Sequence, residues 1–265
     1  MNTAANVHSS QDSHYYWPNG DPAYELKKKS SSGMKKPNIT DARELGLLPS
    51  VTTILKVLDK PALNAWKTEQ SILAVLTSVR KPGEKDDEFV HRVLSVEQVQ
   101  NQEASQAADK GTAIHDAVEL CLQGKEFNVA WKPYVEGVLP VLSNLGKIIW
   151  TEKILVNPEA GYAGRTDIGL ETERDIFIVD LKSTRSMPKN EPWIEARLQT
   201  ASYAKCIGNV ADKHVITGVI YISTVLPGAV KLFLNENWQE TYERGFLPLL
   251  KYWQWSNNYK PGGVV

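Results

Sequence analysis

IFIVDLK, at residues 176–182, is a run of four apolar residues followed by two charges set two positions apart. Consecutive apolar residues indicate a strand that is covered on both faces. Because side chains alternate along a strand, Asp180 and Lys182 point the same way. An unpaired buried carboxylate costs several kcal/mol, so Asp180 needs a cation, which either Lys182 or a metal ion could supply.

The residues before this strand form a candidate hairpin. A turn centred between positions 173 and 174 sets Asp167 directly opposite Asp180. Opposed strand residues have Cβ atoms roughly 4.5 to 5.5 Å apart, and like charges repel at that distance. A divalent cation such as Mg²⁺, held by one or two carboxylates with water and phosphate oxygens, accounts for the pair. The alternative interpretation is a register slip of one residue, which pairs Asp167 with Arg165, Lys182 or solvent.

The hairpin belongs to a longer β-rich segment. Three strand-length runs separated by turn residues predict an antiparallel meander, at 148–156, 162–170 and 176–182. A helix, two strands and a closing amphipathic helix are expected next, at 191–207, 214–224, 229–234 and 237–255. The alternation of helical and strand patterns predicts an α/β (α+β) fold.

The part of the chain before this segment has a helical pattern. Ser50 can cap one helix, and Pro61 opens a second. Ser95 and Gln98 form a candidate capping box for a long helix that Gly111 interrupts. The expected organisation is one catalytic domain with three parts: a polar N-terminal arm at 1–49, a helical subdomain at 50–145, and a core with a C-terminal helix at 146–265.

The composition restricts the class of protein. The 265 residues carry a net charge of -1 and are 42% hydrophobic, which is an ordinary globular balance, so a polyanion would bind only to a local basic patch. Two cysteines are too few for a four-thiolate metal site, and no stretch is apolar enough to span a membrane. Met1–Ser13 lacks the layout of a signal peptide, so we expect a cytoplasmic protein. No Gly-x-x-x-x-Gly-Lys-Ser/Thr loop occurs, so no ATP is expected.

Two pairs of polar residues stand one helical turn apart. His115 and Glu119 share one face of a helix and could complete a metal shell, although a lone histidine on such a helix is more often structural. Gln199 and Tyr203 follow the charged strand and could reach phosphate oxygens, whereas the simpler interpretation is an exposed glutamine beside a half-buried tyrosine.

Taken in order, these motifs resemble the PD-(D/E)xK nuclease superfamily. The matching features occupy residues 95–224: His115, Glu152, Gly164-Arg165-Thr166-Asp167, Asp180-Leu181-Lys182 and Gln199-x-x-x-Tyr203. The resemblance is greatest to the RecB-like exonuclease branch, which includes lambda exonuclease-type phage enzymes, CRISPR adaptation nucleases and the mitochondrial genome maintenance exonuclease. Residues 39–55 are similar to the front end of phage-encoded members.

The resemblance implies a restriction-endonuclease-like core (α-βββ-α-β), with a mixed central sheet flanked by helices. It implies Mg²⁺ or Mn²⁺ as cofactor. Branch members with an iron–sulfur cluster use four cysteines, whereas this chain has two, so no cluster is expected. Lys182 would orient or activate the attacking water, and Glu152 has the weaker match. The predicted catalytic residues are Asp167, Asp180, Lys182 and Glu152; the predicted metal ligands are His115, Asp167 and Asp180; the predicted substrate-binding residues are Gln199, Tyr203, Arg165, Thr184, Arg185, Thr112 and Glu119.

The activity implied is that of a metal-dependent DNA exonuclease acting on single- or double-stranded ends. Its further partners would be phage or host recombination and replication proteins, in the host cytoplasm. Two alternatives stand beside it: a structure-selective or nicking endonuclease on the same fold, and a catalytically silent DNA-binding recombination accessory protein.

Overall fold

The computed structural model describes residues 14–28, 32–100, 102–208, 210 and 212–261. They form two compact units, the smaller of which is Leu58–Lys110 and the larger of which comprises the rest. The smaller unit lies inside the segment expected as a helical subdomain. Residues 50–57 and 111–145 therefore belong to the same unit as the sheet.

The helices and strands have the following bounds. The strands are β1 (Tyr15–Tyr16), β2 (Leu26–Lys27), β3 (Met34–Lys35), β4 (Leu48–Pro49), β5 (Lys147–Asn157), β6 (Tyr162–Glu171), β7 (Asp175–Thr184), β8 (His214–Ser223) and β9 (Val230–Asn235). The helices are α1 (Ile39–Leu45), α2 (Val51–Leu55), α3 (Pro61–Thr77), α4 (Asp86–Gln100), α5 (Gln102–Leu122), α6 (Lys132–Leu145), α7 (Ile194–Ile207), α8 (Trp238–Thr241) and α9 (Leu247–Ser256). None of the described helices is both long and apolar enough to cross a bilayer.

A five-stranded mixed sheet with the order β5-β6-β7-β8-β9 organises the larger unit. β5, β6 and β7 form the predicted antiparallel meander. β8 lies parallel to β7 after the α7 crossover, and β9 returns antiparallel to β8. Helices flank this sheet, so the predicted α/β (α+β) class is confirmed at this level.

The core explains why β7 is apolar on consecutive positions. Ile176 to Leu181 are all buried, as the sequence predicts. On one face, Val179 and Leu181 join an apolar cluster with Ile114 and Val118 of α5 and with residues of α6. Burial of each large apolar side chain contributes about 1.5–3 kcal/mol, so this cluster holds α5 against the sheet beside the acidic residues.

The N-terminal arm packs back on this body. β1 pairs with β4, and a bridge joins Ser50 to Ala163 of β6. Ser50 caps α2 as predicted, because its side chain accepts the Thr53 N–H. Tyr15 and Leu47 belong to a small buried cluster, so the arm has an apolar core that its polar composition does not suggest.

The predicted start of the long helix is wrong. Ser95 and Gln98 lie inside α4, where the Ser95 hydroxyl donates to the Arg92 carbonyl at 2.8 Å. α4 instead begins in the charged run at Asp86, because acidic residues in a first turn complement the helix dipole. Gly111 does not interrupt α5, which is continuous through it.

The smaller unit is built on α3 and α4, which pack against each other. Pro61 opens α3 as predicted. Arg92 pairs with Glu84 at 2.6 Å, and the guanidinium groups of Arg92 and Arg80 lie over the Phe89 ring.

The closing helix is broken where one continuous helix was predicted. A π-helical turn at Tyr242–Phe246 separates α8 from α9. Pro248 lies in the first turn of α9, and proline cannot donate an amide hydrogen bond to the preceding turn. A Cβ atom on Gly245 would lie 2.4 Å from Leu198, so α7 packs directly against this turn.

Candidate functional site

The two strands of the hairpin separate at the two acidic residues. The β6–β7 ladder runs from Glu171 opposite Ile176 to Ile168 opposite Val179, and the next facing positions are Asp167 and Asp180. The predicted register is therefore confirmed, and the slip of one residue is wrong. Beyond Ile168 the Asp167 carboxylate accepts the Leu181 N–H at 2.7 Å.

Asp180 is a buried carboxylate with a neighbouring cation. It is 1% exposed, and its Oδ2 lies 2.6 Å from Lys182 Nζ. Burial raises the pKa of Asp180 to about 6, Lys182 opposes this rise, and the Asp167 charge adds to it. The charged form of Asp180 is thus held at a cost, which an additional cation would reduce.

A third acid extends the row across the sheet. Thr151 faces Ile168 and Lys153 faces Thr166, so Glu152 occupies the position opposite Asp167. Its φ of 50° lies in the left-handed region, where a non-glycine residue stores roughly 1–3 kcal/mol of strain. Arg165 Nε contacts Glu152 Oε2 at 2.6 Å. Glu152, Asp167 and Asp180 therefore lie on three adjacent strands at one level, a set of residues that we call the acidic row.

Helix α5 forms the other wall of a cleft at this row. The predicted residues His115, Glu119, Glu152 and Asp167 all line the cleft. Ser183 Oγ donates to the Gly111 carbonyl at 3.2 Å. A Cβ atom on Gly111 would lie only 3.2 Å from the Ser183 Oγ atom. The glycine therefore permits close packing of α5 on β7, a role that the sequence pattern did not reveal.

Gln199 and Tyr203 lie behind the row on α7. Gln199 Nε2 donates to Tyr203 Oη at 2.9 Å, and the tyrosine is 2% exposed. Burial raises the pKa of Tyr203 well above its usual value, and the charges of Asp180 and Asp167 raise it further. Tyr203 therefore remains a neutral phenol at the back of the site. Its ring packs on Gly164, where a Cβ atom would come within 2.6 Å.

Three of the predicted substrate-binding residues lie outside this cluster. Thr184 is buried, and its hydroxyl donates to the Ser186 carbonyl at 2.9 Å. Thr112 and Arg185 are exposed. Within the described ranges, none of the three forms a hydrogen bond or ion pair with the acidic row.

Asp116 is a neighbour of the site that the motif analysis missed. Burial raises the pKa of its carboxyl, while His115 and Arg165 lower it. The only sequence signal was its position beside His115. Tyr221 was missed as well, although it is the neighbour of Lys182 on the parallel strand β8.

The carboxylates of the acidic row and His115 suit a hard divalent cation better than they suit a closed structural metal site. Among the residues that the structure describes, no three His, Cys, Asp or Glu side chains converge as a ready-made metal cluster. Magnesium does not require one, because one or two carboxylates with water and substrate phosphate commonly hold it. Among the described residues, Asp180 Oδ2 has the ion pair with Lys182 but no hydrogen-bond partner. An oxygen atom of that kind can accept a cation.

Comparisons with known proteins add little. No protein-family model matches the chain, and no curated protein matches it. A solved structure described as "Crystal structure of SSO0001" is similar at 18% sequence identity and a TM-score of 0.29. The match covers 43% of this chain and 53% of that chain, and thus about half the length of each. A TM-score this low carries no conclusion about fold or activity.

Proposed function

We propose that the protein is a Mg²⁺- or Mn²⁺-dependent DNA exonuclease with a restriction-endonuclease-like core of the PD-(D/E)xK superfamily, in its RecB-like branch. One observation carries the proposal. Asp167 and Asp180 face each other where two strands separate, and a lysine lies 2.6 Å from the buried member. Structural ion pairs account for Asp180 with Lys182 and for Glu152 with Arg165, but they do not explain why a second acid, Asp167, faces the buried Asp180.

The acids would hold the metal and so place it. Asp167 is fixed by the Leu181 amide, and Asp180 is fixed by burial and by Lys182, so neither carboxylate has to be ordered when a cation arrives. When bound, Mg²⁺ or Mn²⁺ would lower the pKa of water and neutralise charge that develops on the phosphate. His115, which lines the same cleft, would supply a further ligand atom.

Lys182 would act on the attacking water or on the phosphate. Its side chain is 31% exposed, so the ammonium group beside the buried carboxylate remains accessible to solvent. A fixed positive charge there favours the hydroxide form of a nearby water and the negative charge of the transition state. Glu152 lines the cleft, and Arg165 contacts its carboxylate at 2.6 Å.

Hydrolysis of end-labelled linear DNA tests this function directly. We expect release of nucleotides with Mn²⁺, none with EDTA, and loss of turnover in Asp167→Asn and Asp180→Asn. Glu173→Gln, which removes an exposed carboxylate from the hairpin turn, is the matched control and should retain turnover. Hydrolysis that persists in EDTA would contradict the proposal.

The same assay separates the two alternatives. Nicking of closed circular DNA at the rate of linear DNA would support the endonuclease, because an exonuclease needs an end. Tight DNA binding with no hydrolysis in either metal would support the accessory protein.

A further inference from the structure

The structure places an exposed tryptophan beside the proposed catalytic lysine. Trp193 is 44% exposed and immediately precedes α7. Its ring packs edge-on against Tyr221 with a centroid distance of 5.0 Å, and its backbone N–H donates to Tyr221 Oη at 2.9 Å. Tyr221 is the direct partner of Lys182 in the parallel ladder. The indole is thus held two side chains away from the proposed site of hydrolysis.

The position of Trp193 in its helix is unfavourable for stability. It occupies the N-cap of α7 and forms no side-chain capping bond. Serine, threonine, aspartate and asparagine are preferred there, and their absence typically costs about 1 kcal/mol. A residue that breaks a local rule while exposing a large apolar surface indicates a functional site.

A lysine flanks Tyr221 on each side in the sheet, and the carboxylates of Asp180 and Glu195 also act on this phenol. Tyr221 lies between Lys182 on β7 and Lys231 on β9 in one row across the sheet. Lys231 Nζ lies over the Phe233 ring and donates to the Pro188 carbonyl at 3.1 Å. Within the described residues no carboxylate pairs with Lys231, and its ammonium group also donates to the Lys189 carbonyl, so two backbone oxygens hold this charge in place.

We propose that Trp193 is a stacking platform for an unpaired nucleobase next to the phosphate that is cleaved, with Lys231 neutralising an adjoining phosphate. This inference rests on the proposed function for the location of the cleaved phosphate. Single-stranded nucleic acids are bound by this combination, an aromatic ring for the base and cations along the backbone. Bases inside a duplex have both faces covered, so the site selects single-stranded or frayed ends.

Binding of fluorescent oligo(dT) in EDTA measures this contact without catalysis. Trp193→Ala should weaken binding roughly 5- to 150-fold, because stacking on an aromatic side chain contributes about 1–3 kcal/mol per base. Trp193→Phe should recover most of the affinity. Trp255→Ala removes another exposed indole, 77% exposed on α9, and should leave binding unchanged.

An oligonucleotide with abasic sites in place of its bases separates stacking from a folding defect. Wild type and Trp193→Ala should bind it equally, because no base remains to be stacked. Equal binding of oligo(dT) by the two proteins would overturn the proposal. A change in the sedimentation of free Trp193→Ala, with DNA binding intact, would also overturn it and assign the indole to a contact between copies of the chain.

Failure of the stacking proposal and failure of the nuclease proposal give different results. Trp193-dependent binding without hydrolysis in Mn²⁺ would support the stacking site and reject the nuclease. Hydrolysis by a Trp193→Ala protein whose oligo(dT) affinity equals that of wild type would reject the stacking site alone.

Discussion

Replacing Asp180 with asparagine should stabilise the metal-free protein at neutral pH while it removes turnover. Burial raises the pKa of Asp180 from 3.8 to about 6 in the folded state. Because one pKa unit corresponds to about 1.4 kcal/mol, ionising Asp180 in the folded protein costs about 3 kcal/mol relative to the unfolded chain. This cost is measured as the difference in the free energy of unfolding between wild type and the Asp180→Asn variant.

The sign of the pH dependence follows from the direction of this shift. Between pH 3.8 and about 6 the folded state binds more protons at Asp180 than the unfolded state does. The free energy of unfolding of wild type therefore falls as pH rises through this window and stays low above it. The free energy of unfolding of the asparagine variant does not fall in this way. Relative to wild type, it therefore increases by up to about 3 kcal/mol across the same window.

Urea unfolding in EDTA, at several pH values spanning this window, measures the difference. Titratable groups far from Asp180 contribute equally to both proteins and cancel. Glu173→Gln is the matched control, and it should retain the pH dependence that Asp180 gives to wild type. Added Mn²⁺ at about one hundred times its dissociation constant should stabilise wild type by about 2.7 kcal/mol, but not the asparagine variant. A stability difference that is independent of pH would refute the buried, costly carboxylate and with it the reason for a cation site.

Three further changes test neighbouring contacts. Lys182→Ala leaves a buried carboxylate without its cation, so urea unfolding above about pH 6 should show a loss of about 3–5 kcal/mol, whereas Lys182→Arg should retain stability. Arg165→Met releases Glu152, and steady-state kinetics should show a fall in kcat at constant KM; an effect on KM alone would make Arg165 a substrate contact. Gly164→Ala drives a methyl group into the Tyr203 ring and should cost about 1–3 kcal/mol in thermal unfolding, while an unchanged transition would contradict this packing.

The strands were predictable because burial on both faces leaves a continuous apolar run. Such a run does not fix the register, because both faces are apolar; the turn centred between positions 173 and 174 sets Asp167 and Asp180 at facing positions. The start of α4 was not predictable in the same way, since a charged run at Asp86 can be either a loop or an acidic first helical turn. Gly111 was misread for a similar reason. Its cost to a helix is local and visible in sequence, but its contact with Ser183 is not.

The separation of β6 and β7 explains how two acids can face each other in a buried site. The ladder holds through Ile168 and Val179, and the Asp167 carboxylate then takes the Leu181 N–H. Each acid is therefore oriented by β7, through the backbone for Asp167 and through Lys182 for Asp180. A register shift of two residues would keep the same side chains in the core but would move the two acids apart, so the hairpin turn, which sets the register, also sets their facing positions. The hairpin therefore determines both the strand pairing and the facing of its two acids. The residues proposed to bind DNA come from α7 and β9, whose placement the hairpin register does not determine.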